Sequence, residues 1–134
     1  MSFDVFLNFD GDCREAAAFY ATVFQVDAPH DVMTFEQNPE SAPVDKDRIL
    51  YASIPVFGAT LMMSDCPSGA PFVKGTNVSL TLGSADPAEI TRVFDALAAG
   101  GTAVMPLQKT FFSDLFGMVC DKFGIYWQLS QAPD

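Results

Sequence analysis

Residues 77–97, NVSLTLGSADPAEITRVFDAL, contain the clearest structural pattern in the chain. Even-numbered positions from 78 to 82 are apolar and the odd-numbered ones are polar, which predicts a strand with one buried face. Asp86 is followed by Pro87 and, three residues after Asp86, by Glu89, a combination favoured at the start of a helix. An apolar stripe at helical spacing follows and ends at a pair of glycines. The segment therefore predicts a strand, a tight turn and a capped helix.

The same order of signals occurs near the start of the chain. Asp12 and Glu15 stand 74 residues before Asp86 and Glu89, and they follow a strand predicted over residues 3–9 whose odd positions face the core. The helix after Asp12 is expected to end near Phe24. Three strands are predicted after each helix, at about 27–35, 49–56 and 60–65 in the first half and at 102–106, 116–120 and 125–129 in the second.

This repetition predicts an α+β fold with two βαβββ modules in a single domain, residues 1–134. The modules cover about residues 3–65 and 76–130, and a Pro/Gly-rich linker joins them over residues 66–75. Residues 36–48 are polar and contain two prolines, which indicates a mobile loop able to close over a pocket. An unrepeated α+β domain, with two helix starts that match by accident, is the alternative.

Composition narrows the possible partners. The chain has 134 residues and a net charge of -10, and 49% of its residues are hydrophobic. A core of ordinary size is therefore expected, and neither nucleic acid nor an anionic membrane is expected as a partner. Three widely spaced cysteines and the lack of a signal-peptide pattern favour a cytoplasmic protein with reduced thiols.

Several motifs together resemble the vicinal oxygen chelate superfamily, which includes glyoxalase I, bleomycin-resistance proteins and extradiol dioxygenases. The opening residues 7–13 with Ala16, Phe19 and Tyr20 look like the start of these proteins, and DKFGIYWQL at 121–129 resembles their closing signature, D-x-x-G-x-x-W-E-L. More narrowly, LMMSD at 61–65, TFF at 110–112 and FGMV at 116–119 look like the PhnB-like branch. The resemblance extends from Phe3 to Leu129.

The resemblance implies a curved mixed sheet around a cavity, with the helices on its convex side. Phe19, Tyr20, Phe94 and Trp127 are then expected in the core beneath the helices. Members of the PhnB-like branch have often been labelled methyltransferases. The sequence contains no strand followed by G-x-G-x-x-G and no other glycine loop typical of nucleotide cofactors.

Metal-dependent members of the superfamily use His and Glu ligands at four positions. These positions look like Asp4, Asp65, Asn77 and Gln128 here. Such a set would suit a hard cation such as Mg²⁺ better than zinc or nickel. The interpretation is that no transition metal and no cofactor are bound and that these residues form polar cavity wall. His30 matches none of the four positions, and Cys120 is expected to be an inert thiol.

Aromatic and polar residues on the faces opposite the helices are the candidate ligand site. An apolar pocket with polar anchors is typical of small-molecule sites. The predicted ligand-binding residues are Phe6, Asn8, Ser79, Phe111, Phe112, Tyr126 and Gln128. The same aromatic residues would also suit a homodimer interface, which the superfamily resemblance implies.

The sequence is compatible with three functions. The first is a protein that binds a small organic molecule in an aromatic-lined cavity, without a tight transition-metal site. The second is a divalent-metal-dependent lyase, isomerase or dioxygenase-type enzyme. The third is a structural or regulatory dimer without a ligand. The missing His and Glu ligands favour the first function over the second, while catalysis itself is left open.

Overall fold

The computed structural model describes residues 1–132, which form two compact units. The first unit comprises residues 1–72 and contains one helix and four strands. Its elements are β1 (Val5–Phe9), α1 (Cys13–Val23), β2 (Met33–Thr34), β3 (Ile49–Val56) and β4 (Ala59–Asp65). Two short 3₁₀ turns, Phe35–Gln37 and Pro43–Asp45, lie between β2 and β3.

The second unit begins at Val73 and has the same order of elements. They are β5 (Leu80–Ser84), α2 (Pro87–Ala98), β6 (Thr102–Gln108), β7 (Phe116–Cys120) and β8 (Tyr126–Gln131). The predicted α+β fold with two βαβββ modules is therefore confirmed. That both modules act as a single domain stays a prediction.

Each unit contains a four-stranded mixed sheet with matching topology. The strand order is β1-β4-β3-β2 in the first sheet and β5-β8-β7-β6 in the second. In each sheet the first strand runs parallel to the last, and the remaining neighbours are antiparallel. The first strand is thus followed by a helical crossover and a three-stranded meander, and one face of the sheet lies beneath the helix.

The core of each unit lies between this face and the helix. In the first unit Tyr20 of α1 is fully buried, as is Met63 of β4. In the second, Phe94 and Leu97 of α2 are buried with Trp127 and Leu129 of β8. Burial of Tyr20, Phe94 and Trp127 agrees with the sequence prediction. Phe19 is only half-buried and packs edge-on against Tyr20, so its predicted core position is wrong.

Two strand predictions extend too far at their N-terminal ends. Phe3 and Val78 were expected to face the core, but they precede β1 and β5 and are 96% and 70% exposed. Alternation alone does not show where a strand stops being covered by its helix. The predicted strand at 27–35 is reduced to the two residues of β2, since β2 pairs with β3 only at Met33 and Thr34.

The polar segment 36–48 is tied to the rest of the first unit. Asp45 is buried, and its Oδ1 atom accepts a hydrogen bond from the Ser68 N–H at 3.1 Å. Arg48 pairs with Asp10 at 2.9 Å and donates a hydrogen bond to the Cys66 carbonyl at 2.8 Å. These contacts anchor the C-terminal part of the segment, which was expected to be a mobile loop.

The two helices begin in different ways. Asp86 caps α2 as predicted, because its carboxylate accepts a hydrogen bond from the Ala88 N–H at 2.9 Å. Asp12 precedes α1 but makes no side-chain cap hydrogen bond. The Cys13 N–H, at the start of α1, donates to Oδ1 of Asp65 on β4 instead, at 3.0 Å. The predicted capping box at Asp12 is therefore wrong.

No helix within residues 1–132 has the length and apolar character required to cross a membrane.

Candidate functional site

Each sheet has a face opposite its helix, which we call the open face. On the open face of the first unit, Phe6 is 45% exposed and its ring centroid lies 6.4 Å from that of Tyr51. Asn8, two residues further along β1, is exposed on the same face and pairs with Ser64 of β4. The open face of the first unit thus offers two aromatic rings beside small polar groups.

The open face of the second unit has a more polar centre. The Gln128 Nε2 atom donates a hydrogen bond to the Ser79 hydroxyl at 3.1 Å. Gln128 lies in β8 between its register partners Thr81 on β5 and Met118 on β7. This bond uses one of the two Nε2 protons, so Gln128 keeps one N–H donor and its side-chain carbonyl, and Ser79 keeps its hydroxyl proton, for further hydrogen bonds.

Tyr126 lies on the same open face, where it pairs with Cys120 across β7 and β8. A hydrogen bond with the Cys120 thiol raises the pKa of the Tyr126 phenol. The phenol therefore remains protonated at neutral pH and serves as a neutral hydrogen-bonding group.

The loop that connects β6 to β7 forms a cleft of about 440 Å³ with the end of β8. Phe111 and Phe112 line it, and both are exposed, at 101% and 58%. Their rings meet edge to face at 5.2 Å, and Phe112 meets Phe116 in the same way at 5.0 Å. Edge-to-face contact of this kind favours the observed ring arrangement, while solvent still reaches both rings.

A chain of hydroxyl contacts links this cleft to β8. Ser113 lines the cleft, and its hydroxyl lies 3.2 Å from that of Ser130. The Ser113 hydroxyl accepts a hydrogen bond from that of Ser130, and its one proton lies within reach of two carbonyls, that of Leu115 at 2.9 Å and that of Gln131 at 3.1 Å. Ser130 follows Gln128 by two residues and therefore shares its face of the strand. The cleft thus lies beside the polar residues Gln128 and Ser130 on the open face of the second unit.

The four family metal positions are divided between the two units, and Asp65 belongs to the first. Asp65 pairs with Phe9 on the helix face of its sheet, and it is buried. Its Oδ1 atom accepts hydrogen bonds from the Gly11 and Cys13 N–H groups at 2.8 and 3.0 Å. Its Oδ2 atom accepts one from the Ile49 N–H at 2.9 Å. Both oxygens are therefore used to hold the backbone.

Of the other three positions, Asp4 belongs to the first unit, and Asn77 and Gln128 belong to the second. Asp4 accepts a hydrogen bond from the Thr60 N–H at 3.2 Å, Gln128 is bonded to Ser79, and Asn77 is exposed before β5. Within residues 1–132 no group of three or more His, Cys, Asp or Glu side chains is arranged to hold a metal ion.

The structure brings some of the predicted site residues together within each unit. Ser79 is hydrogen-bonded to Gln128, and Phe111 and Phe112 share the cleft. Phe6 and Asn8 lie on the open face of the other unit. Sequence reasoning missed Tyr51 and Phe116. The signal for Tyr51 was the alternation of Tyr51 and Ser53 with the apolar residues Ala52 and Ile54, which the structure shows to be buried beneath the helix.

Comparison with known proteins gives the family. The model of the 3-demethylubiquinone-9 3-methyltransferase family matches residues 2–130. The chain belongs to this family, which includes PhnB-like proteins. It is 32% identical over 142 residues to protein YjdN of Escherichia coli K12, covering 97% of this chain and 95% of YjdN.

Solved structures agree with the family assignment. Protein PA1353 from Pseudomonas aeruginosa is 34% identical and has a TM-score of 0.89, covering 100% of this chain and 99% of that one. A putative 3-demethylubiquinone-9 3-methyltransferase, PhnB protein, from Bacillus cereus is 29% identical with a TM-score of 0.83, covering 98% and 100%. A glyoxalase-related enzyme from Fulvimarina pelagi, at 18% identity and a TM-score of 0.64, shares the fold; the match covers 99% of this chain and 90% of that one.

Proposed function

We propose that this PhnB-like protein binds a small organic molecule on the open face of its second unit, beside the cleft between β6 and β7. The observation that supports the proposal best is the exposure of Phe111 and Phe112 at a cleft of about 440 Å³. Large aromatic side chains in water mark surfaces that become covered by a ligand or a partner. The volume lies in the range of ordinary small-molecule pockets, roughly 300–1,000 Å³.

The polar groups of the same face favour a ligand that is neutral or positively charged. Gln128, Ser79 and Tyr126 offer an amide, a hydroxyl and a protonated phenol, none of which is charged. The rings of Phe111 and Phe112 attract a cation at short range, and a chain of net charge -10 repels anions at long range. We expect a partly aromatic ligand, such as an aromatic amine, oriented by Gln128.

Membership of the vicinal oxygen chelate superfamily, without a tightly bound transition metal, is part of this proposal. It is supported by the fold shared with the glyoxalase-related enzyme and by the hydrogen bonding of Asp65, whose oxygens both serve the backbone. We also expect the protein in the cytoplasm, since Cys13, Cys66 and Cys120 are all free thiols.

A homodimer interface is the second candidate for the same surface. A fully exposed Phe111 ring would also suit contact with a second copy of the chain. The ligand proposal and the dimer proposal are compatible if only part of the cleft is covered.

A thermal-shift screen of aromatic amines and neutral aromatics tests the ligand proposal. A ligand at a hundredfold excess over its Kd should stabilise the protein by about 2.7 kcal/mol. Phe111→Ala should weaken binding roughly tenfold, because it removes one aromatic contact. Val104→Ala, at another exposed apolar residue of the second unit, should leave the affinity unchanged.

Three results would count against the proposal. Stabilisation by anions alone would contradict the charge argument. Equal affinity of the Phe111→Ala variant and the wild type would place the ligand elsewhere. One tightly held transition metal per chain, found by elemental analysis of protein purified without an affinity tag, would favour the metal-dependent enzyme. Light scattering over a dilution series measures the molar mass and so tests the dimer separately, since a monomer at high protein concentration would contradict it.

A further inference from the structure

A second, smaller cavity lies in the first unit, on the helix side of its sheet. It has a volume of about 180 Å³, is partly open to solvent and is lined by residues of α1, of the segment 28–32 and of β3. The cleft at Phe111 belongs to the second unit, so this cavity is a separate feature of the molecule.

The cavity has apolar walls and a single charged group. Ala17 and Ala18 contribute the helix wall, Val32 the opposite wall and Ile49 the floor. Ile49 is 1% exposed, so the inner end of the cavity is closed off by the core. Arg14, one helical turn before Ala18, is the charged side chain among the lining residues.

The volume fits one ring or a short branched chain. An apolar protein cavity of about 150 Å³ is large enough for benzene. Drug-sized ligands occupy pockets of roughly 300 Å³ or more. A molecule bound here therefore has an apolar part close to the size of a single six-membered ring.

The guanidinium of Arg14 has no counter-charge. It forms no ion pair and no hydrogen bond with any other residue in the described range 1–132. By contrast Arg48 of the same unit pairs with both Asp10 and Asp45. A guanidinium presents its N–H donors in a planar fork that matches a carboxylate with two parallel hydrogen bonds.

We propose that this cavity binds a small apolar monocarboxylate, with its ring or branched chain between Ala17, Val32 and Ile49 and its carboxylate on Arg14. Residues 1–72 contain eleven of the seventeen acidic residues and three of the seven basic ones. Long-range repulsion from these acidic groups limits the affinity, and a Kd in roughly the millimolar range is expected for a ligand of this size.

A titration followed by NMR tests the proposal with benzoate as the probe and benzyl alcohol as its neutral counterpart. Benzoate should shift the amide signals of residues around the cavity in a saturable manner, and benzyl alcohol should bind roughly tenfold more weakly. Arg14→Gln should lower the benzoate affinity by a similar factor and leave that of benzyl alcohol unchanged.

A second pair of variants tests the location independently. Ala18→Leu fills the cavity from the exposed side of the helix, so the fold should be retained and benzoate binding lost. Thr22→Leu, one turn further along α1 at an exposed position outside the lining, is the matched control and should bind benzoate normally.

Other outcomes would overturn the proposal. If benzyl alcohol bound as tightly as benzoate, or Arg14→Gln changed nothing, the assigned role of the guanidinium would be wrong. If Ala18→Leu left the affinity intact, or the shifted signals lay in the second unit, the ligand would bind elsewhere. An absence of saturable shifts at millimolar benzoate would reject the site altogether.

Discussion

Replacement of Asp65 by Asn tests how the first unit is held together. The Asp65 carboxylate accepts three backbone hydrogen bonds, from Gly11 and Cys13 on Oδ1 and from Ile49 on Oδ2. These donors lie in the turn before α1, at its first residue and at the start of β3. One buried side chain therefore joins three elements at the end of β4.

The expected cost follows from the chemistry of the substituted amide. Asn retains one carbonyl oxygen but places an NH₂ group opposite the Ile49 N–H, so one acceptor is lost and the other contacts lose their charge. Hydrogen bonds to a charged group contribute about 1.5–3 kcal/mol each. We expect Asp65→Asn to lower the free energy of unfolding by about 2–4 kcal/mol.

Urea denaturation measures this difference. With a slope of about 2 kcal/mol per molar urea, the midpoint should fall by roughly 1–2 M. Asp4→Asn is the control, since Asp4 accepts one partly buried hydrogen bond from Thr60 and should cost less than about 1 kcal/mol. Equal midpoints for Asp65→Asn and Asp4→Asn would refute the role assigned to Asp65.

Substitutions at Trp127, at two glycines and at Cys13 test the packing of the two units. Trp127→Phe removes the indole N–H that donates to Asp121 at 2.9 Å and should cost about 1–3 kcal/mol in urea unfolding, whereas Trp127→Ala should cost about 3–5 kcal/mol. Gly117→Ala places a Cβ 2.7 Å from the Phe94 ring and should cost about 1–3 kcal/mol. At Gly83 the nearest atom is 3.8 Å away, so Gly83→Ala should be close to neutral, and similar melting temperatures for the two glycine variants would contradict this packing. Burial raises the pKa of the Cys13 thiol from 9.0 to about 12. Between pH 9 and pH 12 the thiol therefore ionises readily only in the unfolded chain. Stability should therefore fall as the pH rises from about 9 towards 12, and fall less in Cys13→Ala.

The fold could be predicted from the sequence because its main signals are local. Alternation in the strands and an apolar stripe at helical spacing in each half depend on neighbouring residues alone. The prediction failed where a distant residue takes over a local task. Asp12 resembles a helix cap, but Asp65 supplies the acceptor for the Cys13 N–H from 52 residues along the chain.

The candidate site was harder to predict than the fold. The apolar run Leu61-Met62-Met63 does not alternate, so the sequence could not show which face of β4 contains Asp65. The pairing of β4 with β1 determines the face of each residue. Ser64 lies on the open face with Asn8, and Asp65 lies beneath the helix with Phe9. A shift of one residue in register moves every side chain of a strand to the other face of the sheet. The metal positions of the superfamily that the sequence resembles therefore could not be transferred by position alone.

The two units share a topology but differ in the chemistry of their open faces. Phe6 and Tyr51 give the first unit an aromatic pair on this face. In the second unit, Ser79 and Gln128 form a hydrogen-bonded polar pair at its centre. Recognition of a small molecule needs both apolar area and a few oriented polar groups. The repeat explains how one strand order arises twice, but the side chains that alternate away from each helix determine the chemistry of each open face. Substitutions on the open faces should therefore change this chemistry, and with it the binding proposed for the second unit, at little cost in stability, whereas those at Asp65 or Trp127 should act on folding.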